Sequence, residues 1–366
     1  MRTRLVIVNT EQFGYHIDTY YYCKLLKEHY DIHYVGWDHG FDKMELEGIK
    51  LTYVSRDGSL ARVRRFIEAI QAACAPNPSA KDQKTILFVK YAPGLAVLQR
   101  FLVHNVVHVL DIRTGSVTKG RVARSFKNWL MRREASFYRH LTVISESLAA
   151  THGWAHRAKI VPLGAVEISA VDKKFAALNM LYVGTLFNRN IDQMVLGVAA
   201  YLKSQQDTET DGQTAVTLTV VGGGPGNELD QLRDIVATHD VGAHIKIEGQ
   251  VPHDKLEHYF DTHNIGMSYI PMTPYFDVQP PTKTFEYLLS GMAVLATATS
   301  ENARIIQPDN GRLIEDSAAA VQQAVAAMAN APATFDSRSI RQAARPFLWS
   351  TIAEGLRVYL DQLVNR

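Results

Sequence analysis

In the stretch QPPTKTFEYLLSGMAVLAT (279–297), Lys283 and Glu286 stand three residues apart at the front of a short apolar run. Pro280 and Pro281 keep the preceding backbone extended and remove two N–H donors, so a helix is expected to begin beside them. With Thr282 as its N-cap, Lys283 is the first helical residue and Glu286 the fourth. That is one position too late for a capping box. A helix start, here Thr282 to Thr284, presents free N–H groups and partial positive charge, and Lys283 adds a full charge. The combination suits a phosphate or diphosphate. Glu286 cannot hold that anion, but it can accept hydrogen bonds from two neighbouring hydroxyls, such as those of a ribose. Cation for diphosphate and anion for sugar diol describe a nucleotide. The bland alternative is a surface ion pair.

Three further clusters belong with this one. LYVGTLFNRNID (181–192) ends a strand-like run at Gly184, passes Thr185, and places Arg189 before a helical pattern. Glycine admits a ligand close to the backbone, and arginine grips phosphate oxygens with two donors. VVGGGPGNELDQL (220–232) puts Gly223 in a glycine-rich strand end. Its spacing is not the G-x-G-x-x-G of a dinucleotide fingerprint, so hydride chemistry is set aside and close approach of a donor sugar or phosphate is expected instead. Near the start, NTEQFGYHID (9–18) carries Gly14 in a loop and His16 at a helix start, while HVLDIRTGS (108–116) brings Asp111 to a strand end. His16 and Asp111 are candidates for the acceptor side, and Arg113 is an alternative, structural partner for Asp111.

These residues need strand ends to hold them. Strand-like runs at 4–10, 32–37, 84–90 and 106–113 alternate with helical stretches, and the alternation restarts near residue 178. Strands separated by helices mean parallel sheets. The expected fold class is therefore α/β, with two doubly wound, Rossmann-like domains facing a central cleft: residues 1–165, residues 176–345, and a final helix at 346–366 packing back on the first domain. The linker is expected at 162–175. The 366 residues are 46% hydrophobic and 21% charged, which fits a soluble globular chain with substantial cores. Two cysteines make no disulfide framework, the N-terminal apolar run is too short for a secretory signal, and no window has the length of a membrane span. A cytoplasmic setting is expected. No D-x-D pair or His/Cys cluster stands out, so neither metal nor other cofactor is expected.

Net charge is +2, yet residues 51–160 hold 18 Lys+Arg against 6 Asp+Glu, leaving 21 against 31 elsewhere. The basic excess peaks in TKGRVARSFKNWLMRREASFYRHL (118–141). On a helical wheel Val122, Phe126, Trp129, Leu130 and Phe137 share one side, expected to pack on the core. Arg121, Arg124, Lys127, Arg132 and Arg139 crowd the other, expected to face an anionic membrane surface, with the protein peripheral on the inner face of the plasma membrane. Nucleic acid is not an expected partner, since no stacking aromatics or binding module accompany the charge.

LYVGTL…R.ID, LTVVGGGPGNELDQL, IKIEGQVPHDKLEHYF and PTKTFEYLLSGMAVLAT occur in this order. Together they resemble the nucleotide-sugar-dependent glycosyltransferases of the GT-B fold, specifically the retaining family 4 (group 1) enzymes, over most of 177–365. The resemblance implies that Arg189 and Lys283 bind the donor diphosphate, that Glu286 holds the ribose, and that the backbone at Val251 meets the base. It also implies that Gly14 lies close to the diphosphate. The first glutamate of the family's E-x7-E motif is replaced by Val278, with Asp277, Gln279 or backbone amides left to hold the donor sugar. The implied reaction is metal-independent transfer of a sugar from a nucleotide-diphosphate donor, with UDP preferred, to a glycan or lipid-linked acceptor. The implied setting is exopolysaccharide or cell-envelope synthesis. An epimerase of the same fold, or a non-catalytic binding protein, are the alternatives.

Overall fold

The computed structural model describes residues 2–76, 82–116, 118, 120–206, 214–330 and 335–365. The chain divides into two compact units, one formed by 1–163 with 349–366 and the other by 164–348.

The first unit has strands β1 (Arg4–Val8), β2 (Asp31–Trp37), β3 (Lys50–Val54), β4 (Thr85–Lys90), β5 (Val107–Ile112), β6 (His140–Val143) and β7 (Ala158–Ile160). They form one parallel sheet in the order β3-β2-β1-β4-β5-β6-β7. Leu5 to Val8 are each at most 1% exposed, which is why β1 reads as an unbroken apolar run. The helices are α1 (Ile17–Leu26), α2 (Ser59–Cys74), α3 (Leu95–Leu102), α4 (Arg121–Ala135) and α5 (Glu146–Thr151). The sequence pattern missed β3, β6 and β7: β3 is a half-exposed edge strand, and the other two have only four and three residues.

The orientation of α4 corrects an expectation. Val122, Phe126 and Trp129 are 85%, 61% and 52% exposed, while Met131, Glu134 and Ala135 are buried. Polar anchors on the opposite face set the rotation. Glu134 Oε1 accepts from Gly94 N at 2.9 Å, and Asn128 Oδ1 accepts from Ser116 N at 2.9 Å. Satisfying those partly buried groups outweighs hiding the apolar stripe. Lys119, at the head of this basic segment, lies outside the described residues.

The second unit has strands β8 (Leu178–Val183), β9 (Val216–Val221), β10 (Ile245–Gly249), β11 (Ile265–Ser268), β12 (Ala293–Thr297) and β13 (Gly311–Ile314), parallel in the order β10-β9-β8-β11-β12-β13. Its helices are α6 (Ile191–Gln206), α7 (Glu228–Thr238), α8 (Glu257–Thr262), α9 (Thr282–Leu289), α10 (Ser300–Ile305), α11 (Ala318–Asn330) and α12 (Ser337–Ala344). Strand order reverses direction of growth between β8 and β11, the point where such sheets open a crevice at their carboxyl ends. The segment expected as a linker is bound into this unit. Lys173 Nζ donates to Phe260 O at 2.6 Å and Ser169 Oγ at 2.8 Å, and burial lowers its pKa to about 8.

The last helix, α13 (Trp349–Val364), belongs to the first unit. Trp349 stacks on Tyr21 of α1 with centroids 4.9 Å apart, and Tyr30 donates to Asp361 Oδ1 at 2.6 Å. No helix among the described residues is long and apolar enough to cross a membrane.

Candidate active site

The site is built at the carboxyl ends of β8 and β11. β8 ends at Val183, and Gly184 follows with φ +150°, its N–H bonded to Val221 O at 3.0 Å. A Cβ there would stand 2.9 Å from Lys283 Nζ, so glycine at 184 is what lets the ammonium lie against the strand end. The same ammonium lies 3.9 Å from the centre of the Tyr182 ring, a cation–π contact inside the fold. Tyr182 in turn donates to Thr185 O at 2.7 Å, tying the loop to its own strand.

Arg189 is bracketed by Asn188 and Asn190, with φ +54° and +53°. Asparagine tolerates this left-handed backbone better than most residues. The turn lays the guanidinium over the Phe276 ring at 4.3 Å. Arg189, Lys283 and Glu286 line one cavity of about 390 Å³, together with Gln279, Pro281 and Thr282. A second cavity of about 370 Å³ shares Val183, Gly184 and Thr185 with the first and continues over Gly223, Gln250 and Val251. Gly222, with φ +159°, has no room for a Cβ because Gly184 O fills the place. The glycine-rich strand end thus lets two backbones touch beneath the second cavity. A larger cavity of about 580 Å³, along β13 and α11, lacks any such gathering of perturbed charges.

The structure changes three details at α9. Its N-cap is Pro281 (φ −80°, ψ 123°), not Thr282, so Lys283 is the second helical residue and Glu286 the fifth. Thr284 was expected to face the donor. Its hydroxyl is buried between Ser268 Oγ at 2.6 Å and Asn302 Oδ1 at 3.0 Å, and its N–H donates to Pro281 O at 3.1 Å. It therefore fixes the helix start instead. Asp277 Oδ1 and Oδ2 accept from Ser300 N at 2.8 Å and Ser300 Oγ at 2.6 Å, which pins the loop and removes this carboxylate as the substitute for the glutamate missing at Val278. Gln279 remains on the cavity wall.

Electrostatics mark the same place. Burial, with Arg189 beside it, lowers the Lys283 pKa to about 7 against the opposing pull of Glu286. Burial raises that of Glu286 to about 7, opposed by Lys283. Two like charges held together in a half-buried site, with only one carboxylate near, leave a demand for an anion.

The first unit gathers its own polar group at the switch between β1 and β4. Asp111 is 0% exposed and accepts from Thr142 Oγ1 at 2.7 Å. A carboxylate enclosed in this way does not reach an acceptor, which corrects that expectation. Arg113 Nε lies 2.5 Å from Asp18 Oδ2, and Nη1 lies 3.9 Å from Asp111 Oδ1. His16 is the N-cap of α1, its Nδ1 3.5 Å from Thr19 N. Burial, helped by Lys90 and Arg113 against Asp18, lowers its pKa to about 4, so it is a neutral cap at pH 7. Gly14 has φ +91°, and the Met44 side chain occupies the place of its missing Cβ. Lys90, at the end of β4, was not singled out from sequence. Burial lowers its pKa, opposed by Glu11, Asp18 and Asp111.

Residues 177–330 match the family model described as Glycosyl transferases group 1. Comparison with curated proteins gives no match. Sucrose-phosphate synthase from Thermosynechococcus elongatus superimposes with a TM-score of 0.70 at 15% identity, covering 100% of both chains. HepE from Anabaena, in complex with UDP, gives 0.71 at 12% identity over 99% of this chain and 100% of that one. The apo form of the lipopolysaccharide outer core galactosyltransferase WaaB gives 0.68 at 12% identity over 98% and 99%. At such identities the likeness shows the fold, and the protein is of the GT-B class, with two Rossmann-like units. Residues 177–330 are the part of the chain that is similar to the group 1 glycosyl transferases.

Proposed function

We propose that the protein transfers a hexosyl group from a UDP-sugar to a hydroxyl of a glycan or lipid-linked acceptor, with retention and without a metal. The observation that carries this reading is the Lys283 ammonium, held against Gly184 at the start of α9 with Arg189 beside it. Breaking the sugar–diphosphate bond builds charge on the leaving phosphate and an oxocarbenium-like sugar. Stabilising the leaving group is the largest electrostatic task. Lys283, Arg189 and the helix end supply that positive charge. Glu286 takes the ribose hydroxyls, and the cavity over Gly223 and Val251 takes the base. The departing phosphate oxygen accepts the acceptor's proton. HepE, which shares the fold, is solved with UDP and glucose, and that supports the choice of base.

The test is a thermal-shift screen of UDP, GDP and ADP and their hexose esters, followed by transfer assays with glycan and lipid extracts. Stabilisation by UDP and transfer with retention are expected. Epimer formation without acceptor, or binding without turnover, would replace the proposal.

Binding should also depend on pH. A diphosphate needs the ammonium form of Lys283, so affinity for UDP-glucose is expected to fall as pH rises above about 7. The fall approaches roughly tenfold per pH unit. UDP-glucose is the suitable probe because its doubly esterified diphosphate does not titrate near neutrality. Affinity should also fall on the acid side as Glu286 takes up a proton, and the two limbs belong to the coupled pair. Calorimetry on Lys283→Met should lose the alkaline limb, and Glu286→Gln the acid one. A flat profile in the unaltered protein would remove both assignments.

Gln279 is the cavity residue placed to read the donor sugar in place of the missing glutamate. Gln279→Ala is expected to lower turnover about 10- to 100-fold, as losing one polar contact to substrate does, while UDP affinity stays within about twofold. Equal losses in both would make it a nucleotide contact instead.

A further inference from the structure

Helix α4 turns a stripe outward that nothing among the described residues covers. Val122, Phe126 and Trp129 recur at i, i+4 and i+7, and the rings of Phe126 and Trp129 are 5.9 Å apart. One turn beyond Trp129, the Arg133 guanidinium lies 4.8 Å from the Phe137 ring. Phe137 meets Phe101 of α3 edge-on at 5.3 Å. On the same helix Leu98 and Leu102 are exposed as well. The apolar band therefore runs from α4 onto α3, and a contiguous exposed band of this kind marks an interaction site.

Its charge says which kind. At 100° per residue, Arg121 and Arg132 flank the stripe on one side and Arg133 lies within it, whereas Arg124, half-buried, and Lys127, exposed, stand on the side away from the stripe. Arg121, Arg132 and Arg133 form no ion pair among the described residues. The helix has a single carboxylate, Glu134, and it points inward onto Gly94 N. We propose that this face inserts into the headgroup region of an anionic lipid bilayer. Val122, Phe126 and Trp129 enter the acyl boundary, and Arg121, Arg132 and Arg133 meet lipid phosphates. Large aromatics beside arginines are what an interfacial helix requires. A second copy of this chain would set the same cations against one another, and nucleic acid has no use for a deep apolar stripe. The proposed face is independent of the donor site, and of its three cations Arg133 is the one that the helical wheel did not single out.

The molecule carries its own reporter. Of the four tryptophans, Trp37, Trp154 and Trp349 are buried and Trp129 is exposed. The full chain is mixed with vesicles of neutral phosphatidylcholine, or with vesicles in which part of it is replaced by phosphatidylglycerol. Co-sedimentation and a blue shift of tryptophan emission are expected with the anionic vesicles only, weakening as salt is added. Trp129→Phe should abolish the blue shift but not the sedimentation. Phe126→Ser with Trp129→Ser, and separately Arg132→Glu with Arg133→Glu, should each weaken sedimentation at least about tenfold. Circular dichroism and the nucleotide thermal shift should stay as in the parent, since these side chains are exposed. Failure of the parent to bind would overturn the proposal. So would equal binding to both vesicles, or retention of binding in both variants. A concentration-dependent dimer that the Phe126→Ser, Trp129→Ser variant dissolves would replace it with a protein contact.

Discussion

Replacing Lys283 by Ala is expected to cut kcat/KM about 10²- to 10³-fold, the loss typical when one donor to a developing anion is removed from a water-poor site. The fold should not suffer. In the free protein the ammonium is already disfavoured by burial and by Arg189, so its pKa lies near 7 rather than in the usual lysine range. A depressed lysine pKa means that the unfolded chain holds more protons between pH 7 and the normal lysine range. The charged group therefore opposes folding there, and the opposition fades as pH rises. Lys283→Ala or Lys283→Met should therefore melt at the same temperature as the parent or slightly higher near neutrality. Strain kept for function in this way is expected at an active site. Arginine is no substitute. The ammonium lies 3.9 Å from the centre of the Tyr182 ring and against the bare backbone of Gly184, a contact made by a compact charge, so the longer, planar guanidinium of Lys283→Arg is expected to be displaced and to lose most of the activity that Lys283→Ala loses. Steady-state kinetics with UDP-glucose, alongside melting curves, check both halves. An Ala variant within about threefold of parental kcat/KM would show that the diphosphate binds elsewhere.

The parts of this site that were legible in the sequence are those written in local signals. Two prolines, a lysine and a glutamate announce a charged helix start, and Gly184 and Gly222 announce strand ends where backbone comes close. The alternation of strands and helices likewise gave the two parallel sheets, although short edge strands such as β7 leave no period to detect. Contacts made across the fold left no such mark. Nothing in LYVGT says that the Tyr182 ring lies under the Lys283 ammonium, or that Phe276 supports Arg189. Thr284 and Asp111 read as ligands because they stand where ligands stand, at a helix start and a strand end. Only three-dimensional packing shows Thr284 spent on Ser268 and Asn302, and Asp111 on Thr142. For α4 the period located the stripe correctly but could not tell which way it faces. Two acceptors on the packed side, half-buried Asn128 and buried Glu134, decide that.

The buried charge group of the first unit carries the largest expected effect on stability. Asp18, Asp111 and Arg113 side chains are 4%, 0% and 4% exposed. Arg113 also donates to Val161 O at 2.6 Å, joining the end of β5 to the segment after β7. Removing one member of a buried ionic group leaves the others uncompensated, at a cost of about 3–5 kcal/mol. Arg113→Ala is expected to lose that much, a drop of roughly 10 °C in melting temperature for a unit of this size. All four tryptophans belong to the first unit, so their fluorescence reads its unfolding selectively. The pH dependence identifies the cause. Asp111 has its pKa raised to about 6 by burial, with Arg113 and Thr142 holding it lower than burial alone would. In the folded state it therefore keeps its proton to higher pH than in the unfolded chain, and its ionised form is the penalised one. Without Arg113 the pKa should climb further, and the variant's deficit should shrink as pH falls from 8 toward 5, when protonation takes the buried charge away. Denaturant titrations of Arg113→Ala and of Arg113→Ala with Asp111→Asn test this. The second substitution should recover part of the loss above pH 6 and little below it. A deficit that stays constant with pH, or one that Asp111→Asn leaves untouched, would mean that Arg113 stabilises the unit through Val161 and its packing rather than by neutralising Asp111.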